Sequence, residues 1–189
     1  MEKKHIITIA GKPGSGKSTT SKGLARGLEY LHFSSGDFFR AIGKERGIDV
    51  LATNLLAEQE KDIDVAVDQK LRELGDKENQ MVIDSRMAWH WMPYSFRIYL
   101  DLDLHVAAER ILSHMDEARL SAEHIPNDPN LYAKTLQDRL DSETKRYQNL
   151  YNVNPYDPQN YDLVVDTAKN DIETVQKIIL EAYTDWAEL

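Results

Sequence analysis

The sequence predicts an α/β fold of three layers, a five-stranded parallel sheet with helices on both faces. Three observations carry this. Five short runs rich in β-branched and aromatic residues, at 6–10, 32–34, 81–83, 96–100 and 163–166, alternate with stretches of helical spacing, and such alternation implies a parallel sheet. A glycine-rich segment follows the first run directly and leads into a helical pattern. Finally, 189 residues, 41% of them hydrophobic, suffice for one substantial core but not for two. We therefore expect a single domain over 1–189, with helical appendages at about 35–75 and a lid at about 115–132.

The first strand, Ile6-Ile7-Thr8-Ile9-Ala10, breaks into Gly11-Lys12-Pro13-Gly14-Ser15-Gly16-Lys17-Ser18. Thr19 to Leu31 then reads as a helix, with Leu24, Ala25, Leu28 and Leu31 on its buried face. Strand, G-x-x-x-x-G-K-[ST] and helix in this order identify a phosphate-binding loop, or P-loop. Its backbone N–H groups converge on phosphate oxygens at the positive end of the helix. Gly11 through Thr19, including Lys12, Pro13, Gly14, Ser15 and Gly16, form this cradle; Lys17 reaches the outer phosphates and Ser18 ligates magnesium.

His32-Phe33-Ser34 reads as the second strand, and Phe38-Phe39-Arg40 opens a helix capped by Ser35 or Asp37. A cation in the first turns is disfavoured by the helix dipole, so Arg40 is a candidate phosphate ligand, with a solvated arginine as the alternative. From Ile48 to Leu74 two small helices fit, with Leu51, Leu55 and Leu56 on one and Ile63, Val67, Leu71 and Leu74 on the other. Asp62 or a neighbour would cap the second and Gly75 would end it, while Glu58, Glu60, Lys61, Asp62 and Asp64 read as a solvated face.

Met81-Val82-Ile83 delivers Asp84, Ser85 and Arg86 to the carboxyl end of the third strand, where open α/β sheets bind ligands. Asp84 is a candidate for the magnesium shell or a capping residue, and Arg86 a candidate phosphate ligand. Trp89 and Trp91 either stack on a base or fold inward; His90 has no partner spaced for metal ligation or nucleophile activation. Phe96–Leu100 is the fourth strand, and the helix opening at Val106 buries Val106, Ile111 and Leu112, turning Arg110 elsewhere. The acidic, proline-bearing stretch from Met115 to Tyr132 has little periodicity, as long functional loops do. The helix from Leu131 to Tyr151 carries Arg139, Glu143 and Arg146 on one face, either as a ligand site or as surface salt bridges. Leu163–Asp166 is the fifth strand, and Ile172 to Ala182 the closing helix.

With no cysteine, the chain carries neither disulfides nor thiolate metal sites, as suits a cytoplasmic protein. The net charge of -9 disfavours nucleic acid and anionic membranes as partners, so a phosphorylated substrate requires a local basic cluster. No apolar run reaches membrane-spanning length, the first residues lead into a strand instead of a signal-peptide core, and we expect a monomer.

Taken together, Gly11–Thr19, Ser35-Gly36-Asp37-Phe38-Phe39-Arg40, Arg86, Ala107-Ala108-Glu109-Arg110 and Arg139-x-x-x-Glu143-x-x-Arg146-Tyr147 before Tyr161-Asp162 resemble the P-loop nucleoside monophosphate kinases, most of all the short archaeal-type cytidylate kinases. The resemblance spans nearly the whole chain. It implies transfer of the γ-phosphoryl group of ATP, with Mg²⁺, to CMP or dCMP. It further implies that Lys17 and the loop hold ATP, that Asp37, Arg40, Arg86, Arg139 and Glu143 surround the acceptor, and that Lys17, Arg110, Arg139 and Arg146 serve catalysis. The segment Ser34 to Arg40 resembles the adenylate kinases too, and small-metabolite kinases of shikimate or gluconate type share loop and sheet. A regulatory GTP-binding module is disfavoured, because neither Asn-Lys-x-Asp nor an Asp-x-x-Gly switch after a strand is present. Lys17→Ala is expected to reduce turnover by about 100-fold or more while leaving the circular dichroism spectrum unchanged; near wild-type rates of transfer would refute the assignment of the loop.

Overall fold

A computed structural model describes residues 4–48, 56, 62–115, 120 and 125–188. Its centre is strand β1 (Ile6–Gly11), on which Ile6, Ile7 and Ile9 are wholly buried. Around it lie β2 (Leu31–Ser34), β3 (Met81–Asp84), β4 (Phe96–Asp101) and β5 (Leu163–Asp166), in the order β2-β3-β1-β4-β5 with every neighbouring pair parallel. Each parallel neighbour requires a crossover, and the helices that supply them cover both faces. The direction of winding reverses at β1, so the crevice beyond the carboxyl ends of β1, β3 and β4 is where a ligand is expected.

Strand alternation divides the core. On one face Ile7, Ile9 and Leu100 pack against Leu24 and Ala25 of α1 (Lys17–Leu28) and Val175, Ile179 and Tyr183 of α7 (Ile172–Glu188). On the other, Ile6, Met81 and Ile83 pack against Val67 and Leu71 of α3 (Asp62–Lys77) and Ala88 of the short α4 (Ala88–Trp91). Helix α2 (Ser35–Glu45) lies beside α3, while α5 (Leu104–Leu112) packs against α6 (Pro129–Tyr151) through Ala107, Ala108, Tyr132 and Leu136. Among the described residues, no helix is long and apolar enough to cross a membrane.

Several boundaries differ from expectation for identifiable reasons. Helix α1 begins two residues early, because Gly16 (φ 81°) turns the chain at its amino end, and stops at Leu28, where Glu29 is left-handed (φ 58°) and Tyr30 N–H bonds back to the Ala25 carbonyl at 2.8 Å. Leu31 thus belongs to β2, and is 51% exposed. Helix α2 starts at Ser35, so neither Ser35 nor Asp37 is its cap; Ser34 holds that position, without a side-chain bond. Helix α3 passes through Gly75 instead of ending there. A Cβ on Gly75 would stand 2.6 Å from the Tyr94 hydroxyl and 2.9 Å from Met92 Cγ, so this glycine admits a neighbouring segment. Asp103 caps α5 with bonds from His105 N and Val106 N, and the helix face it starts is buried most deeply at Ala107 and Ala108, with Val106, Ile111 and Leu112 only partly covered. Asp128 caps α6, and Pro129 fits its first turn, where no N–H is needed. The expected helix around Leu51 and Leu55, and 116–119 and 121–124 of the expected lid, lie outside the described residues.

The loop after β1 depends on close backbone approach. At Gly11 (φ 151°) a Cβ would meet the Leu100 carbonyl oxygen at 2.3 Å, a contact that only movement of β4 could relieve. Gly11→Ala is expected to destabilise the fold by about 2 kcal/mol or more in urea unfolding. Gly27→Ala, in α1 with nothing within 4 Å of the new methyl group, is expected to be neutral or stabilising by up to about 1 kcal/mol.

Candidate active site

The candidate site begins at the loop between β1 and α1. The Lys12 carbonyl gathers three donors, Ser15 N at 3.3 Å, Ser15 Oγ at 2.8 Å and Lys17 Nζ at 2.9 Å, while Lys12 Nζ reaches Asp101 Oδ1 of β4 at 2.8 Å. Gly14 (φ 72°) lies against the Ala107 backbone of α5. Burial, with Arg86 adding its repulsion, lowers the Lys17 ammonium to about 8 in spite of the attraction of Asp84 and Glu143. Arg86 thus stands near enough to Lys17 for the two cations to repel each other. Beside the loop opens a cleft of about 800 Å³, walled by Gly14, Thr19, Arg110, Ile111, Thr167 and Asn170. Arg110 donates to the Thr167 carbonyl at 2.7 Å on that wall, apart from the other arginines.

Ser18 Oγ donates to Asp84 Oδ2 at 2.6 Å, across the carboxyl ends of β1 and β3. A hydroxyl and a carboxylate are hard oxygen donors of the kind Mg²⁺ takes, and that ion keeps waters and phosphate oxygens instead of an all-protein cage. No group of three His, Cys, Asp or Glu side chains suited to a metal occurs among the described residues. The pair fits magnesium.

A second, smaller cavity of about 130 Å³ is lined by Gly36, Arg40, Arg86, Arg139, Glu143 and Arg146 among others. Glu143 is its anchor. Its Oε2 lies 2.7 Å from Arg86 Nε, its Oε1 accepts from Arg139 Nε at 3.0 Å, and the Tyr156 hydroxyl donates to Oε2. Burial pushes this carboxyl up, but Arg86, Arg139 and Tyr156 outweigh it and hold it down at about 2. Arg40 pairs with Asp37 at 2.5 Å, both side chains more than half exposed, so Asp37 meets the cavity only through Arg40. Arg146 Nε lies 3.3 Å from Asp64 Oδ2 of α3. The expectation of a solvated acidic face therefore fails at Asp64, which is 5% exposed, although Asp62 does lie at the surface, paired with Arg46 at 2.6 Å. Glu58, Glu60 and Lys61 lie outside the described residues.

The tryptophans pack inward. Trp89 donates through Nε1 to the Arg86 carbonyl at 2.8 Å and sets its ring against Tyr161, fixing the backbone that carries Arg86. Trp91 lies under the Arg72 guanidinium, 3.7 Å from the ring centroid, and meets Tyr151 edge-on. His90 sits among these rings. Arg40, Arg86, Arg139, Glu143 and Arg146 thus line one cavity, Ser18 and Asp84 meet beside the loop, and Arg110 stands on the wall of the larger cleft. Sequence reasoning missed Asp64, Tyr147 and Tyr156. Only Tyr147 carried a signal, its place beside Arg146.

Comparison with known proteins finds relatives that match over nearly the whole chain. The sequence profile of a family described as AAA domain matches residues 7–130. A cytidylate kinase of Natronomonas pharaonis is 37% identical over 185 residues, 96% of this chain and 91% of that protein. One from Methanocaldococcus jannaschii is 37% identical over 183 residues, 94% of this chain and 96% of that protein. Among solved structures, shikimate kinase from Bacteroides thetaiotaomicron superposes with a TM-score of 0.63 at 16% identity, covering 97% of this chain and 98% of that one, a likeness of fold. With its loop and its parallel sheet, the chain belongs to the P-loop nucleoside monophosphate kinases, in the family of the archaeal cytidylate kinases.

Proposed function

We propose that this enzyme transfers the γ-phosphoryl group of ATP to CMP or dCMP, as a monomer in the cytoplasm. The observation that carries the reading is the nearness of two cationic groups in an otherwise acidic chain: Lys17 of the loop feels the repulsion of Arg86 and Arg139, which with Arg40 line one cavity. Phosphoryl transfer demands in-line reactants, exclusion of water and charge spread over the equatorial oxygens, and no nucleophilic side chain. An oxygen of the acceptor phosphate forms the new bond to the γ-phosphorus as the bond to the bridging β-oxygen breaks.

In this reading the loop N–H groups and Lys17 hold the donor phosphates. Ser18 would bind magnesium directly and Asp84 through a water; the ion, when bound, neutralises charge on the donor phosphates. Arg40, Arg86 and Arg139 hold the acceptor phosphate, and Glu143 aims two of these guanidiniums. Arg110 flanks the donor cleft.

The acceptor panel tests this. ADP formation from ATP is expected with CMP or dCMP at a kcat/KM about 10-fold or more above that for UMP, AMP, GMP or shikimate; activity with AMP alone would overturn the pyrimidine assignment. Lys17 supplies a second check, since the charged form is the one that binds phosphate. kcat/KM for ATP, which reports the free enzyme, is expected to fall as pH rises through about 8, whereas the alkaline limb of kcat moves upward because bound phosphates favour the ammonium.

A further inference from the structure

We propose that Tyr156 is a positioning residue of the transfer reaction, whose hydroxyl fixes the Glu143 carboxylate so that Arg86 and Arg139 are aimed at the phosphate of the acceptor. The inference rests on the nucleoside monophosphate kinase reading above and deepens it. Glu143 meets both arginines through the same kind of atom: Arg86 Nε stands 2.7 Å from Oε2 and Arg139 Nε 3.0 Å from Oε1. Each guanidinium thus turns its inner nitrogen to the carboxylate, which leaves terminal N–H groups for oxyanions. Where those groups point follows from the rotation of the carboxylate, and that terminal torsion is intrinsically broad. The Tyr156 hydroxyl, which donates to Oε2 and also faces the Arg86 guanidinium, removes the freedom.

The tyrosine is itself held from behind. Tyr156 N donates to Asn154 Oδ1 at 3.0 Å, Asn160 Nδ2 donates to the Asn154 carbonyl at 2.9 Å, and the Tyr161 hydroxyl donates to the Pro155 carbonyl. Its ring packs in the cluster of Trp89, Tyr99 and Tyr161, and Trp89 is the residue whose Nε1 donates to the Arg86 carbonyl at 2.8 Å. One turn between α6 and β5 therefore grips Arg86 twice, its backbone through Trp89 and its side chain through Glu143. The described residues that line the cavity include Glu143 but not Tyr156, so the hydroxyl acts through the carboxylate and touches no substrate. Its effect is kinetic all the same, because a reacting group misplaced by about 1 Å loses on the order of 100-fold in rate.

Tyr156→Phe removes the hydroxyl and keeps the ring in its packing. For the nucleotide that the wild-type enzyme phosphorylates, kcat/KM is expected to fall by about 10-fold in this variant, while KM for ATP stays within about 2-fold. Dissociation constants titrated without ATP separate aiming from packing: the same nucleotide is expected to bind about 10-fold more weakly, whereas its nucleoside, which lacks the phosphate, binds as it does to the wild type. Unchanged binding of the nucleotide, or equal weakening of nucleotide and nucleoside, would overturn the assignment and leave Tyr156 a packing residue. If the wild-type enzyme phosphorylates AMP and no pyrimidine nucleotide, the CMP reading fails alone, and AMP with adenosine decides the role of Tyr156. If it phosphorylates no nucleoside monophosphate, the proposed function fails and the assignment of Tyr156 falls with it.

Discussion

A single buried carboxylate holds the arginine cluster together. Arg86 comes from the end of β3 and Arg139 from α6, and without a counter-charge they would repel one another and the buried Lys17. Glu143, 6% exposed, binds both guanidiniums and is itself completed by the Tyr156 hydroxyl. Such a pairing offsets its desolvation only when the geometry is satisfied throughout. The result is a rigid array whose residual positive charge is offered to a ligand. The acidic character of the whole chain does not oppose this, because exposed charges are screened by solvent and salt while buried ones are not.

The same economy appears in the sheet. Because the winding reverses at β1, three strand ends carry the loop, Asp84 with Arg86, and Asp101 to one crevice. Helices α2, α3 and α6 then close the acceptor side with side chains from distant parts of the chain.

How much of this the sequence reveals depends on whether a feature is local. The loop, the five strands and the arginines after β3 and on α6 are legible because period, motif and position coincide within a few residues. Asp64 is not, since an acid on an acid-rich helix looks solvated until α6 brings Arg146 against it. Gly75 looks like a helix terminator, and only the tertiary approach of Met92 and Tyr94 gives it another purpose. Tyr156 lies in a turn-rich segment with no periodicity, so nothing local points toward Glu143. For Trp89, stacking and packing are equal in sequence terms, and the Arg86 carbonyl that takes its Nε1 hydrogen decides between them.

The Lys12 carbonyl, with its three donors, and the Lys12 strap to Asp101 bear on timing. They hold the loop in shape without any help from phosphate, so little conformational entropy is lost when a nucleotide arrives. Capture of the donor is then governed by diffusion and by the steering field of buried cations, and not by the folding of the cradle. A nucleotide meets a finished mould.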